Sequence, residues 1–500
     1  MSETVLALDL GTGGCKASLW DADGTMRHEV VRDYPTSHPR PGWNEQFVED
    51  WWEAVVACIR ELVGSSPVEV TGIALSGQSL GIVLLDSSGN PIEHSTPIWS
   101  DARATAEAAQ IFTEISEDNW YLRTGNGFTP ALYPVAKARW YATHRPEAWA
   151  ATRTIVGSKD WVNLRLTGEL ATDHSYASGS GVYDVVAGRY DEELVAAGGL
   201  EGRLPEPRAS HDQVGSLTPD AASLLGLQPG VPVFAGAVDN AAMALGSRGT
   251  SEGRLYASLG SSSWMTVTST KPVLDATMRP FVFAHALPGH FVSGLSTFSS
   301  GTSIGWLHAM IGAGLTLTEL LDEGAALDLA SDVPTFVPTL SGGTPLEGGS
   351  TVRGVLAHLD LGHGRAHLAR AGMEGIAFAM RRCLDVLRDL VSTDAEVLVS
   401  GGGVRHDGWN QIYADVLGQD LMRTSVDQQA AALGAATIAF VGLGIWTYAD
   451  AERPHTVRAT YVADPASTLA YEPRRRRFAA LQHDLAATGG TFEHRQGKNK

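Results

Sequence analysis

Near the amino terminus, Asp9-Leu10-Gly11-Thr12-Gly13-Gly14 sets a carboxylate two residues ahead of a glycine-rich loop. Glycine lets a backbone approach an anion closely, with the loop amides and the Thr12 hydroxyl as donors. Asp9 itself would repel an anion, but it could hold a Mg²⁺ that meets the anion through water. An ordinary hairpin turn with an Asp at the strand end has the same residues, and the loop alone does not choose. Spacing excludes two other phosphate signatures. A dinucleotide fingerprint needs Gly-x-Gly-x-x-Gly opening a helix, and a P-loop needs Gly-x-x-x-x-Gly-Lys before Ser or Thr. Here Gly11 and Gly13 run into Gly14-Cys15-Lys16 instead.

A second carboxylate stands where proton transfer is feasible. Asp239 closes the apolar run Val231–Val238, which reads as one strand, and precedes Asn240 to Leu245, which reads as a helix start. Helix amides in front of it are expected to keep it ionised and ready to accept a proton. As a helix N-cap it would have a purely structural job.

These residues need strands and turns to hold them. Lys16 to Trp20 alternates polar with apolar and then meets Asp21-Ala22-Asp23-Gly24, so the first loop joins strand to strand. Leu255 to Ser269 repeats the scheme around Gly260-Ser261-Ser262-Ser263, without a carboxylate at the place of Asp9. A third glycine cluster, Gly401 to Gly403, follows the apolar stretch 395–399, where a strand end meets a crevice in an α/β sheet. Two similar hairpins so far apart imply two domains of like fold serving one nucleotide. Further strands are expected over residues 5–10, 15–20, 26–34 and 68–76, with helices over 49–63, 303–311, 367–390 and between 409 and 442. A last helix around 479–487 is expected to pack back across the first domain.

Composition sets the class. Five hundred residues exceed one core, and 44% apolar with 19% charged residues and 55 glycines is a globular, turn-rich profile. A net charge of −19 speaks against nucleic acid as a partner. Cys15, Cys58 and Cys383 are too few and too scattered for a disulfide framework or zinc spacing, which suits a reducing cytoplasm. No stretch approaches the ~20 apolar residues of a membrane span. Trp51-Trp52 fits the buried face of an amphipathic helix, and Arg474 to Arg477 reads as a solvated helix face. Residues after Gly489 read as a disordered end.

The sequence resembles the FGGY carbohydrate kinases, and within them most the xylulokinase branch, from Val5 to about Phe478. The resemblance rests on "DLGTGG", "PGWNEQFVEDWW", "GIALSGQS", "PIWSDARA", "KDWVNLRLTGELATD", "AGAVDNAAMALG", "SLGSSS" and "SGGGVRHDGWNQIYADVLGQ" in that order. It implies an α/β protein of two actin-like (ribonuclease H-like) ATPase domains, 1–246 and 247–500, with a cleft between them. The implied reaction is ATP-dependent phosphorylation of a sugar hydroxyl, foremost of a ketopentose such as D-xylulose. By the family pattern Asp239 is the general base and Asp9 the metal-side carboxylate for Mg²⁺. Gln78, Ser79, Trp99, Asp101 and Asn240 would line the sugar pocket, although Asp101 with Arg103 also fits a surface ion pair. Gly11, Thr12, Gly13, Gly260, Ser261, Gly301, Gly401 and Gly402 would hold the nucleotide. A homodimer is kept open.

The sequence departs from the branch at Gly77-Gln78-Ser79-Leu80-Gly81, where xylulokinases read Gly-Gln-Met-His-Gly. Leu80 is expected to offer the substrate an apolar face there. Two rivals follow: a kinase of another open-chain sugar or polyol (a tetritol, glycerol or a signalling dione), and a non-catalytic actin-like nucleotide switch.

Overall fold

A computed structural model of the chain describes residues 3–66, 68–113, 115–393 and 396–488. The end after Gly489 that was expected to be disordered lies outside the described residues. The chain forms two compact units. The first comprises residues 1–252, 268–293 and 429–455; the second comprises 253–267, 294–428 and 456–500. Two later segments thus return to the first unit.

The first unit is built on a mixed sheet. Thr4–Leu10 forms an antiparallel hairpin with Gly14–Asp21, which pairs in turn with Met26–Asp33. On its other side Thr4–Leu10 runs parallel to Val70–Gly77. Alternate buried leucines on the central strand, Leu6, Leu8 and Leu10, meet the apolar face of helix Val48–Ser65, where Trp51, Val55, Cys58, Ile59 and Leu62 recur at helical spacing. Trp51 and Trp52 are both buried in this core, as their spacing implied.

The apolar run Val231–Val238, read from sequence as one strand, is two. Pro232–Phe234 pairs with Val70–Gly77 beside Ile73, and Ala237–Val238 pairs with the same strand at Ser76 and Gly77. Gly236 breaks the run with φ 75°, and a Cβ on it would overlap the Leu75 carbonyl oxygen. Glycine is required there by both conformation and contact.

Behind the strands lies Ala430–Gly442, a helix of small and apolar residues from late in the chain. It packs against Asp239–Gly246 so closely that backbone meets backbone. A Cβ on Gly246 would overlap the Ala430 carbonyl, and one on Gly434 would overlap the Ala242 carbonyl.

The second unit repeats the plan. Leu255–Leu259 and Ser263–Ser269 form an antiparallel hairpin, and Leu255–Leu259 runs parallel to Glu396–Ser400. Asp420–Thr424 extends the parallel set and Val457–Tyr461 adds an antiparallel strand. Helix Arg365–Leu390 buries its apolar face here. The last helix, Pro465–Thr488, belongs to this unit, which corrects the expectation that it packs across the first domain. Its Tyr471 and Phe478 rings meet Phe378, and Arg474 pairs with buried Glu374 at 2.5 Å. The basic run is therefore only partly solvated: Arg474 turns inward while Arg476 stays exposed.

The contact between the two small-residue helices generates a stability prediction. Gly434→Val forces extra methyl groups into a backbone contact, and overpacking of this kind costs about 1–3 kcal/mol. Denaturant unfolding should show a lowered midpoint; an unchanged midpoint would mean that the helices part without cost.

Candidate active site

Three parallel strands end side by side. In register, Leu10 pairs with Gly77, and Gly77 pairs with Val238. Asp9, one residue before its strand's end, and Gln78-Ser79 and Asp239-Asn240, just past theirs, cluster at this end of the sheet, which gathers most of the predicted chemistry of the first unit. The carboxyl ends of parallel strands are where α/β sheets bind ligands.

Asp239 is the first residue of its helix; Val238 occupies the N-cap position, and no side chain caps the helix. The Asp239 Oδ1 atom accepts from the Asn240 backbone amide at 2.8 Å and from Asn240 Nδ2 at 3.0 Å. Burial pushes the carboxyl up to about 7, against the opposing pull of the Asn240 amide; the charge of Asp9 raises it further and hydrogen bonds from Ser79 lower it. This corrects the expectation that helix amides alone keep Asp239 ionised, because desolvation outweighs them. A carboxylate balanced near neutrality suits a general base.

Asp9 lies on the strand opposite Lys16. Its Oδ1 is buried and has no hydrogen-bond partner among the described residues. Burial raises its pKa, with Lys16 and Ser76 opposing. A desolvated carboxylate oxygen without a donor fits a cation, and Mg²⁺ characteristically takes only one or two protein carboxylates.

The turn after Asp9 is held by its carbonyls. Tyr34 Oη donates to the Gly11 oxygen at 2.5 Å, Gln46 Nε2 to the Thr12 oxygen at 2.6 Å, and the Tyr34 amide to the Gly13 oxygen at 3.2 Å. With the carbonyls occupied, exposed Thr12 and Gly13 present a turn suited to an anion. Gln46 also accepts from Trp51 Nε1 and from Gln78 Nε2, each at 2.9 Å, and so ties the turn to the sugar loop. Gln46 lies within PGWNEQFVEDWW, and nothing in that stretch marks it as a link between two loops.

Trp99 is half exposed and its Nε1 donates to Thr12 Oγ1 at 2.9 Å, which seats it against this turn. Asp101 is 0% exposed. Both its oxygens accept from Arg103, and Oδ2 also accepts from the Asn44 amide at 2.6 Å. Its ion pair with Arg103 is thus a buried clamp, with the guanidinium stacked 3.9 Å from the Trp43 ring centre. This corrects the surface-pair reading: the pair is buried, and both Asp101 oxygens already have protein donors.

The departing loop has its own logic. Leu80 adopts φ 56°, a left-handed conformation that branched residues rarely take. Its side chain is 2% exposed and lies with Phe283 against Gly179. Leu80 therefore does not offer a face to substrate as expected; it packs inward and shapes the loop. The neighbouring Ser79 Oγ accepts from Asn240 Nδ2 at 3.3 Å. The loop is pinned by Lys137, whose fully buried Nζ donates to the carbonyls of Leu80, Ile98 and Leu132 at 2.8, 2.7 and 2.7 Å; burial pushes its pKa down to about 7.

In the second unit a cavity of about 530 Å³ collects Gly260, Ser261, Gly301 and Gly402. The turn and the following helix are joined by main-chain bonds: the Gly301 amide to the Gly260 oxygen at 2.9 Å, and the Ser300 and Thr302 amides to the Ser261 oxygen, each at 3.1 Å. Gly401 stands at the cavity margin with φ 99°, its amide donating to Asp427 at 3.2 Å. Leu317, Leu321, Trp409 and Tyr413 supply apolar wall, and Arg405 and His406 supply cationic or polar groups. Arg405, His406, Trp409 and Tyr413 fall within SGGGVRHDGWNQIYADVLGQ, which gives them no individual role, and Leu317 and Leu321 carry no sequence signal because each is an ordinary residue of an amphipathic helix.

The family model for the amino-terminal domain of the FGGY carbohydrate kinases matches residues 4–246, and the model for the carboxy-terminal domain matches residues 255–443. The chain belongs to the FGGY family of carbohydrate kinases. This kinase is 29% identical over 447 residues to the xylulose kinase of Bacillus subtilis, with 88% of each chain covered. It is 30% identical over 506 residues to the L-xylulose/3-keto-L-gulonate kinase of Escherichia coli, with 98% of each covered. The crystal structure of xylulose kinase from Rhodospirillum rubrum matches with a TM-score of 0.91 at 29% identity, covering 98% of this chain and 100% of that one. The kinase is thus xylulokinase-like and carries the two-domain α/β fold of its family.

Lys137 gives the prediction of this site. Lys137→Met leaves three buried carbonyls without their donor, at about 1–3 kcal/mol each. The desolvation cost of burying the amine offsets part of this, so the kinase should lose about 1–3 kcal/mol in denaturant unfolding, and an unchanged stability would mean that other donors replace the amine.

Proposed function

We propose that this kinase transfers the γ-phosphoryl group of ATP to a hydroxyl of a ketopentose, with D-xylulose the first candidate. The observation that carries the reading is the shared strand edge, which aligns a near-neutral carboxyl, Asp239, with a cation-seeking one, Asp9. Phosphoryl transfer asks for positioning, charge neutralisation and a proton acceptor rather than covalent help from the protein. In this reading Asp239 takes the proton of the attacking hydroxyl as the new P–O bond forms and the bond to ADP breaks. Gln78, Ser79 and Asn240 orient the sugar; Gln78 Oε1 is buried without a partner among the described residues and is free to accept from a sugar hydroxyl. Trp99 contributes from its place beside Thr12.

ATP is the phosphoryl donor that the family implies. Its nucleoside is assigned to the cavity of the second unit, where the turn Gly260–Ser261 with Gly301, Gly401 and Gly402 would bind phosphate; within the first unit, the turn Gly11–Gly13 is the candidate phosphate turn beside Asp9. Asp9 would hold Mg²⁺, which neutralises phosphate charge when bound. The Ser79-Leu80 pair leaves the choice among ketoses and polyols to a substrate panel, in which D-xylulose is expected to give the highest kcat/KM. ATP consumption that does not depend on any sugar would instead favour a nucleotide switch.

Two outcomes test the roles. Asp239→Asn should lower kcat by about 10²–10⁴, the usual share of a general base, while ATP binding stays intact. In the parent kinase, kcat should fall about tenfold per unit of pH below about 7, where Asp239 becomes protonated, and level off above it. Because the fold favours the protonated form of this group, its stability contribution is largest at low pH and declines as pH rises from about 4 toward 7. The Asn variant should therefore melt no lower than the parent at pH 8. Separately, Asp9→Ala should raise the Mg²⁺ concentration needed for half-maximal rate and leave sugar KM nearly unchanged; the reverse pattern would place Asp9 on the sugar side.

A further inference from the structure

Asp239 stands at the end of a strand too short to fix it. Ala237–Val238 makes only two register pairs with Val70–Gly77 and is cut off upstream by the kink at Gly236. What anchors it is a buried polar cluster. The Val238 amide donates to Ser175 Oγ at 2.8 Å, and the same hydroxyl donates to Asp173 Oδ2 at 2.5 Å. Asp173 Oδ2 also accepts from the Ser175 amide at 2.8 Å, and Asp173 Oδ1 pairs with Lys159 Nζ at 2.7 Å. Lys159 bonds Asp160 at 2.5 Å and reaches the Ala235 carbonyl at 3.3 Å. Ser175, Asp173, Asp160 and Lys159 are all essentially inaccessible to solvent.

The cluster therefore grips both sides of the Gly236 kink, Ala235 through Lys159 and Val238 through Ser175. We propose that Ser175 is a positioning residue for Asp239, holding the peptide bond next to the base through the Lys159–Asp173 ion pair. This rests on the reading of Asp239 as the general base. The chemistry favours a hydroxyl at this point. The group must accept one hydrogen bond, from Val238, and give one, to Asp173, and Ser175 does both with one atom. Without it, a buried amide and a carboxylate oxygen each lose a partner, and the Val238 peptide is free to shift. A 1 Å displacement at the reacting atoms costs about 10²-fold in rate. Burial alone would lower the Lys159 pKa, but the charges and hydrogen bonds of Asp160 and Asp173 outweigh it and hold the ammonium above its ordinary value.

The test measures radiolabelled phosphoryl transfer to D-xylulose, or to the best ketose of the panel, by four proteins: the parent, Ser175→Ala, Asp239→Asn and the double variant. Ser175→Ala is expected to lower kcat about 10- to 100-fold, with KM for sugar and for ATP within about twofold. In the Asp239→Asn background the same change should cost less than about twofold, because the residue it positions is already gone. Ser175→Cys, close in volume and a weaker donor, should give an intermediate kcat; it also serves if the Ala variant does not fold. A folded Ser175→Ala or Ser175→Cys with parental kcat overturns the proposal. So does a full, multiplicative loss in the double variant, which marks a general structural defect. Should Asp239→Asn keep parental kcat, the reading of the base fails first, and this proposal with it.

Discussion

Parallel pairing of three strand ends is the constraint on which the first unit depends. Thr4–Leu10, Val70–Gly77 and Ala237–Val238 leave the sheet in the same direction and at the same level, so the residues around their ends must share an edge. That edge is electrostatically costly, since two carboxylates are brought together away from bulk water. The cost appears as a raised pKa at both Asp9 and Asp239. Desolvated groups of this kind concentrate at functional sites because a ligand or a transferred proton relieves them.

The second unit repeats the hairpin and its parallel neighbour but omits the carboxylate. In both turns the carbonyl oxygens are drawn back into protein hydrogen bonds, by Tyr34 and Gln46 in one and by the helix start at Ser300 to Thr302 in the other. A glycine-rich turn does not make an anion site by flexibility alone; it also needs its carbonyl dipoles held away from the anion. The two units thus use one backbone solution while the acidic side chains stay with the first.

Much of this was legible in the sequence because it is local. Period-two alternation around Gly11 to Gly14 and around Gly260 to Ser263 located both hairpins, and the helical spacing from Val48 to Leu62 marked the core helix. The strand 231–238 was misread as continuous because a Gly inside an apolar run does not announce its φ. Asp101 was misread for a different reason: a charged pair two residues apart looks the same on paper whether it is bathed in water or walled in by Trp43 and Asn44. Gln46, Lys137 and Ser175 carried no readable role, since their partners lie tens of residues away and only tertiary packing reveals them.

The helix Ala430–Gly442 has a bearing on how the protein is made. It forms part of the first unit and rests against the helix headed by Asp239, yet it is translated after most of the second unit. Domains usually fold as they emerge from the ribosome, amino-terminal first, at about 5–20 residues per second. Here the first unit must wait tens of seconds with the small-residue face of Asp239–Gly246 uncovered. During that interval the small-residue face has no partner, and a message truncated before codon 430 leaves it uncovered for good.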